Sequence, residues 1–201
     1  MNAPLPTAAA REAAARYDRV AAATNEVAGR LAQRLAQDTQ GEVLFAPADR
    51  GRYATDASIY QEMPVGVFVP RAAEDIPLAI DICRDLKVPI VPRGGGTSQC
   101  GQTVGAGLVV DNTKHVRNIL EVDPVARTAV VEPGLVLDHL NAELKKHGLW
   151  YPVDVSTSAQ ATLGGMAGNN SCGSRSIAWG NMVHNVLGLS LIHISEPTRR
   201  S

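Results

Sequence analysis

The stretch Val88-Pro89-Ile90-Val91-Pro92-Arg93-Gly94-Gly95-Gly96-Thr97-Ser98 decides how this chain is read. An apolar, strand-like run ends in a proline and an arginine. Three glycines and two hydroxyl side chains follow. Without a Cβ, Gly94, Gly95 and Gly96 can take positive φ and bring main chain close to a ligand. Successive N–H groups in such a loop can converge on an anion, and Thr97 and Ser98 add O–H donors. The combination predicts a cradle for a phosphate or pyrophosphate. Two familiar nucleotide loops are disfavoured. A Walker loop ends in Gly-Lys-Ser/Thr, and no lysine lies between Lys87 and Lys114. A Rossmann fingerprint needs a third glycine and then a helix. Here Gln99 takes that position, and Gly101, Gly105 and Gly107 lead into Leu108-Val109-Val110, which reads as another strand. A plain glycine-rich turn between two strands is the competing reading.

A second segment reads the same way. Between Tyr151 and Gly173, almost every side chain from Ser156 onward is small, and Ser, Thr and Asn recur. Such a surface lets a flat, bulky ligand lie on backbone, with amide and hydroxyl groups meeting its heteroatoms. The alternative is a tight helix-packing seam with a glycine turn.

Four motifs stand in order: Pro92-Arg93-Gly94-Gly95-Gly96-Thr97-Ser98, Val131-Glu132-Pro133-Gly134, Tyr151-Pro152-Val153-Asp154, and Thr162-Leu163-Gly164-Gly165-Met166-Ala167-Gly168-Asn169-Asn170-Ser171-Cys172-Gly173. This order resembles the FAD-binding domain of the vanillyl-alcohol oxidase (PCMH-type) flavoprotein superfamily. Within it the chain is most similar to the FAD-linked D-2-hydroxyacid dehydrogenases that act on glycolate, D-lactate or D-2-hydroxyglutarate. The run Gly180-Asn181-Met182-Val183-His184-Asn185-Val186 resembles the long bacterial members that also carry a C-terminal iron–sulfur domain.

The resemblance implies an α+β fold, a PCMH-type FAD-binding domain of two small helix-covered sheets, the second one incomplete. It implies that Arg93, Gly94, Gly95, Gly96, Thr97 and Ser98, with Gly101 and Gln102, wrap the FAD pyrophosphate, mainly through main-chain N–H groups. A Cβ at Gly95 would then intrude on the pyrophosphate. Pro152 and Asp154 would lie along the flavin edge. Thr162, Gly164, Gly165, Asn169 and Asn170 would line the isoalloxazine and ribityl region. Covalent relatives carry a histidine in the pyrophosphate loop; this loop has none, so non-covalent FAD is expected. The implied reaction oxidises a small D-2-hydroxyacid to the 2-oxoacid and passes electrons to a quinone or an iron–sulfur domain. Catalytic residues are expected in a C-terminal cap domain, with any iron–sulfur cluster in the full-length protein and no metal site in these residues. Other chemistries of the superfamily, an alcohol oxidase or an enolpyruvyl reductase, stay open, as does a non-catalytic nucleotide-binding module.

Length and composition fit a fragment of a soluble enzyme. With 201 residues the chain can bury a core as one or two domains. A net charge of −1 gives no sign of a nucleic-acid partner, and 4% aromatic residues argue against a base-stacking surface. No apolar run approaches about eighteen residues, so no transmembrane helix is expected. No secretory signal is evident, and a cytoplasmic location, or peripheral attachment at the inner membrane, is the expectation. The three cysteines, Cys83, Cys100 and Cys172, read as reduced thiols, Cys100 as a buried one.

Residues 1–40 read as an N-terminal helical extension, with helix over 7–38 and an apolar stripe of Val27, Leu31 and Leu35. Residues 41–188 read as the FAD-binding domain, truncated. Residues 189–201 resemble a translated sequencing adapter and are expected to be non-native. Within the domain, strands are expected over 65–70, 88–91 and 108–111, with a hairpin of 119–122 and 128–131 about Asp123-Pro124. A helix over 73–87 would bury Ile76, Ala79, Ile80 and Cys83. A second, over 135–147, would close on Gly148. His139, His147 and His184 are assigned structural rather than catalytic roles.

Overall fold

Two runs without an internal polar break, Gly66–Val69 and Leu108–Asp111, set the architecture. In the computed structural model, which describes residues 25–190, every residue of both runs is buried. This is the pattern of strands covered on two faces. In chain order the elements are α1 (residues 25–38), β1 (Glu42–Leu44), α2 (Pro47–Arg52), β2 (Gly66–Val69), α3 (Asp75–Leu86), β3 (Ile90–Arg93), β4 (Leu108–Asp111), β5 (Ile119–Asp123) and β6 (Thr128–Val131). Then follow α4 (Leu137–Leu144) with a 3-10 turn (Lys145–His147), α5 (Leu163–Gly168), α6 (Ser176–Trp179) and α7 (Met182–Asn185).

The first sheet has the order β1-β2-β4-β3, with β1 antiparallel to β2 and the other pairs parallel. Strand β4 enters between the two strands that α3 connects. One sheet face packs Phe68, Leu108 and Val110 under Leu31 and Leu35 of α1 and Ala79, Ile82 and Cys83 of α3. The other packs Val67, Val69 and Val109 against Leu44, Tyr53 and Val91. The second sheet is the β5–β6 hairpin. The turn between its strands is fixed by the Asp123 carboxylate, which accepts the amides of Val125 and Ala126 at 2.9 Å each. Ile119, Val122 and Val131 of the hairpin pack on a separate core of Leu137, Leu140, Leu144, Val153, Leu163, Met166 and Met182. The fold is therefore α+β with two small sheets, as expected.

Several local expectations need correction. On α3 the buried stripe is Asp75, Ala79, Ile82 and Cys83, whereas Ile76 and Ile80 are half-buried. Asp75 turns inward because its carboxylate accepts the amides of Gln40 (3.0 Å), Arg71 (2.8 Å) and Ala72 (3.4 Å). Positions i, i+4, i+7 and i+8 then share the inner face. Strand β3 lies two residues later than expected and ends on Arg93. Cys100 is exposed, not buried. Its loop turns outward about Ser98 Oγ, which accepts the Cys100 amide at 3.1 Å, and passes through Gly101 at φ 72. The expected helix over 7–38 is seen over residues 25–38; its first part, and residues 191–201 of the segment expected to be non-native, lie outside the described residues. Among the described residues no helix is long and apolar enough to cross a membrane.

Burial pushes the Cys83 thiol up to about 11, while Cys100 and Cys172 stand exposed. The thiolate is the reactive form. An aromatic disulfide reagent at neutral pH should therefore titrate two thiols rapidly in the native protein and the third only on unfolding. Rapid reaction of all three would contradict this core.

Candidate cofactor site

The glycine loop leaves the carboxyl end of β3, where Arg93 pairs in register with Asp111 of β4. It does not stand free. A Cβ built on Gly94 would collide with Thr162 Oγ1, and one on Gly95 with the carbonyl oxygen of Gln160. The loop is thus pressed onto main chain of the second small-residue segment, and the two segments singled out in the sequence meet at one seam. Gly95 needs its bareness for this packing against the Gln160 main chain.

Polar bonds extend the seam. Ser98 Oγ donates to Gln102 Oε1 at 2.7 Å, and Gln102 Nε2 donates to Asn169 Oδ1 at 3.1 Å. Thr162, 2% exposed, caps α5 by accepting the Gly165 amide at 3.2 Å. Gly164 packs on Pro133 and donates its amide to the Pro133 carbonyl at 2.8 Å. Asp154 accepts from Ser174 Oγ (2.7 Å) and the Arg175 amide (3.1 Å). These bonds, Ser174 first, hold its carboxyl below the usual range. Asn170, at φ 46, accepts the Val183 amide at 3.0 Å. Pro152 is half-buried beside the buried Val153.

The predicted site residues therefore fall into two groups. Thr162, Gly164, Asp154 and Asn170 are committed to holding the second wall. Gly95, Gly165, Gln102 and Asn169 keep exposed surface, and Gly96, Thr97 and Ser98 are half-exposed. Among the described residues no protein acceptor takes the amide hydrogens of Gly94, Gly95, Gly96, Thr97 or Ser98. A run of unpaired amides in a polar, partly open seam is the donor set that a pyrophosphate needs.

Sequence reasoning missed a third wall, residues 53–60. Arg93 donates to the carbonyls of Tyr53, Thr55 and Thr103. The Ala57 amide donates to the Gly96 carbonyl at 3.0 Å. Asp56 accepts from Thr103 Oγ1 at 2.9 Å and from the Ser58 amide at 2.8 Å. Burial would raise its carboxyl, but the bonds from Ser58 and Thr103 outweigh it and hold the group low. Tyr53 donates its hydroxyl to Asp111 Oδ2 at 2.8 Å. Burial, then that bond, push the phenol up to about 12. Asp56-Ala57-Ser58 forms an Asx turn; nothing local marks its reach to the glycine loop.

His184 Nδ1 accepts the Asn181 amide at 3.1 Å in a capping box, and His139 and His147 are exposed. Among the described residues no cluster suited to a metal ion occurs.

Comparison with known proteins matches residues 64–195 to the FAD binding domain family. The chain is 38% identical over 160 residues to D-2-hydroxyglutarate dehydrogenase of Pantoea ananatis, covering 78% of this chain and 16% of that protein. It is 39% identical over 153 residues to glycolate oxidase subunit GlcD of Bacillus subtilis, covering 74% and 32%. Among solved structures, the BBE-like 1 protein of Physcomitrella patens superposes with a TM-score of 0.67 at 23% identity, over 78% of this chain and 34% of that one. The chain thus spans under a third of the length of the two curated relatives described.

The seam yields a stability test. Gly94→Ala and Gly95→Ala should each cost about 1–3 kcal/mol in denaturant unfolding, the usual cost of overpacking. Gly29→Ala, in a helix with nothing within 4 Å of the new Cβ, should gain about 0.5–1 kcal/mol. Equal stability of all three variants would remove the close approach.

Proposed function

The chain belongs to the FAD binding domain family, and on that premise we propose that it is the cofactor-holding part of a longer flavoenzyme that oxidises a D-2-hydroxyacid to the 2-oxoacid. The observation that carries the reading is the seam itself. Two segments with ligand-binding composition come together there, and consecutive amides are left without protein acceptors. The naming of relatives as D-2-hydroxyglutarate dehydrogenase and glycolate oxidase subunit supports the substrate class.

In this proposal the amides of Gly95 to Ser98 hold the FAD pyrophosphate, and Gly165, Gln102 and Asn169 face the remainder of the cofactor. Thr162, Gly164, Asp154 and Asn170 keep the opposite wall in place. Bound flavin supplies a hydride acceptor for the Cα–H of a 2-hydroxyacid. The residues described here bind and orient; they also exclude side chains from the seam, because Gly94 and Gly95 admit none. FAD is held without a covalent bond. The electron acceptor is a quinone or an iron–sulfur domain of the full-length protein. Residues 41–188 form the FAD-binding part.

The test uses the full-length protein that carries this segment. Acid precipitation should release FAD at about one per chain, and anaerobic D-2-hydroxyglutarate, D-lactate or glycolate should bleach the flavin band. A yellow protein bleached only by a reduced nicotinamide would move the assignment to a reductase. A colourless protein that binds inorganic phosphate would reduce the site to an anion-binding module.

A further inference from the structure

Arg93 was expected to wrap the pyrophosphate; its side chain is engaged elsewhere. We propose that Arg93 is a positioning residue, whose guanidinium ties three main-chain carbonyls together and so sets the shape of the glycine loop, without itself meeting the cofactor's phosphates. The proposal rests on the reading of the seam as an FAD site and names what controls that site.

The geometry is that of a clamp. Nη2 donates to the Thr55 carbonyl at 2.9 Å, and Nη1 to the carbonyls of Thr103 at 3.3 Å and Tyr53 at 3.4 Å. The guanidinium carbon lies 5.3 Å from the centre of the Tyr53 ring, within cation–π range. Gly96 curls over the same group. It sits at φ 65, and a Cβ there would come within 2.8 Å of Nη2 and 3.3 Å of Cζ. The tied segments are then cross-linked. Ala57 donates its amide to the Gly96 carbonyl, and Asp56 accepts from Thr103. Residues 53–57, 96 and 103 thus close around one planar cation.

This role has a chemical signature. A guanidinium presents donors from both terminal nitrogens in one plane, whereas an ammonium is a compact point charge on a flexible stem. A clamp on neutral carbonyls needs the planar fork. A direct phosphate contact needs mainly the charge. The two roles therefore separate under charge-conserving substitution, and also under salt, which screens a charge pair more than a shape effect.

The experiment measures FAD affinity of the apo form of the full-length flavoprotein by quenching of flavin fluorescence, at several salt concentrations. Arg93→Met and Arg93→Lys should both weaken FAD binding by about tenfold or more, the equivalent of one lost charge-assisted hydrogen bond. The two should agree within about threefold, and the salt dependence should stay that of the wild type. Asp56→Asn leaves the guanidinium in place but loosens the Thr103 link, so it should weaken binding in the same direction. It serves also if Arg93→Met does not fold. Hydrogen exchange of the Ala57 amide in the apo protein should accelerate in Arg93→Lys. Wild-type affinity in Arg93→Lys alone, or a shallower salt dependence in Arg93→Met, would make Arg93 a phosphate ligand and overturn the proposal. Normal FAD binding by both Arg93 variants would overturn it while leaving the functional reading intact. A wild-type protein that binds no FAD would overturn both.

Discussion

The structure depends on the contact of Gly94 and Gly95 with the main chain of Gln160 and the side chain of Thr162. Each side of the seam has its own apolar core, one around the first sheet and one beneath the hairpin. Where they meet at the glycine loop, backbone approaches backbone too closely for any Cβ. The glycines are needed there by packing, and this decides which side of the loop is left for a ligand. Their Cα faces are used against the second segment. Their amides, with those of Gly96, Thr97 and Ser98, remain without a protein acceptor. A loop held on one face and open on the other is pre-organised, so less ordering is left to be done when an anion binds.

The polar groups along the seam divide the work. Thr162 caps α5 with the same oxygen that fills the space over Gly94. Asp154 ties down residues 174 and 175, and Asn170 ties the start of α7. Ser98, Gln102 and Asn169 form a chain of hydrogen bonds from one segment to the other while keeping surface toward solvent. Rigid support behind a semi-open row of donors is what a cofactor site requires.

How much of this could be read in the sequence follows from which forces act locally. β2, α3, β4, the hairpin and α4 were legible because apolar runs, an Asp-Pro turn and a closing glycine are local signals. β1 was not, since three residues, Glu42–Leu44, carry no periodicity and are strand only because β2 offers an edge. The stripe on α3 was misjudged because Asp75, polar and in the first turn, is drawn inward by amides of residues 40, 71 and 72. Cys100 was misjudged because burial of a thiol depends on which way a loop turns. The two halves of the site were legible from composition. The third wall was not, because Arg93 reaches Thr55 across 38 positions and nothing local marks it.

The ionisable groups at the seam also bear on what the site does. A general base working near neutrality needs a pKa near the working pH. Asp56 and Asp154 are held low by hydrogen bonds that favour their charged forms, so each is a weak base. Tyr53 is pushed up to about 12 and stays a donor to Asp111. His184, the remaining candidate, uses Nδ1 to cap its own helix. Asp56, Asp154 and Tyr53 are held, by burial or by bonding, toward one protonation state. Fixed protonation suits a wall that must keep its shape while a neighbouring group reacts. In the proposed oxidation, the hydroxyl proton of the substrate would accordingly leave to a residue outside this set, and the seam would hold the electron acceptor still.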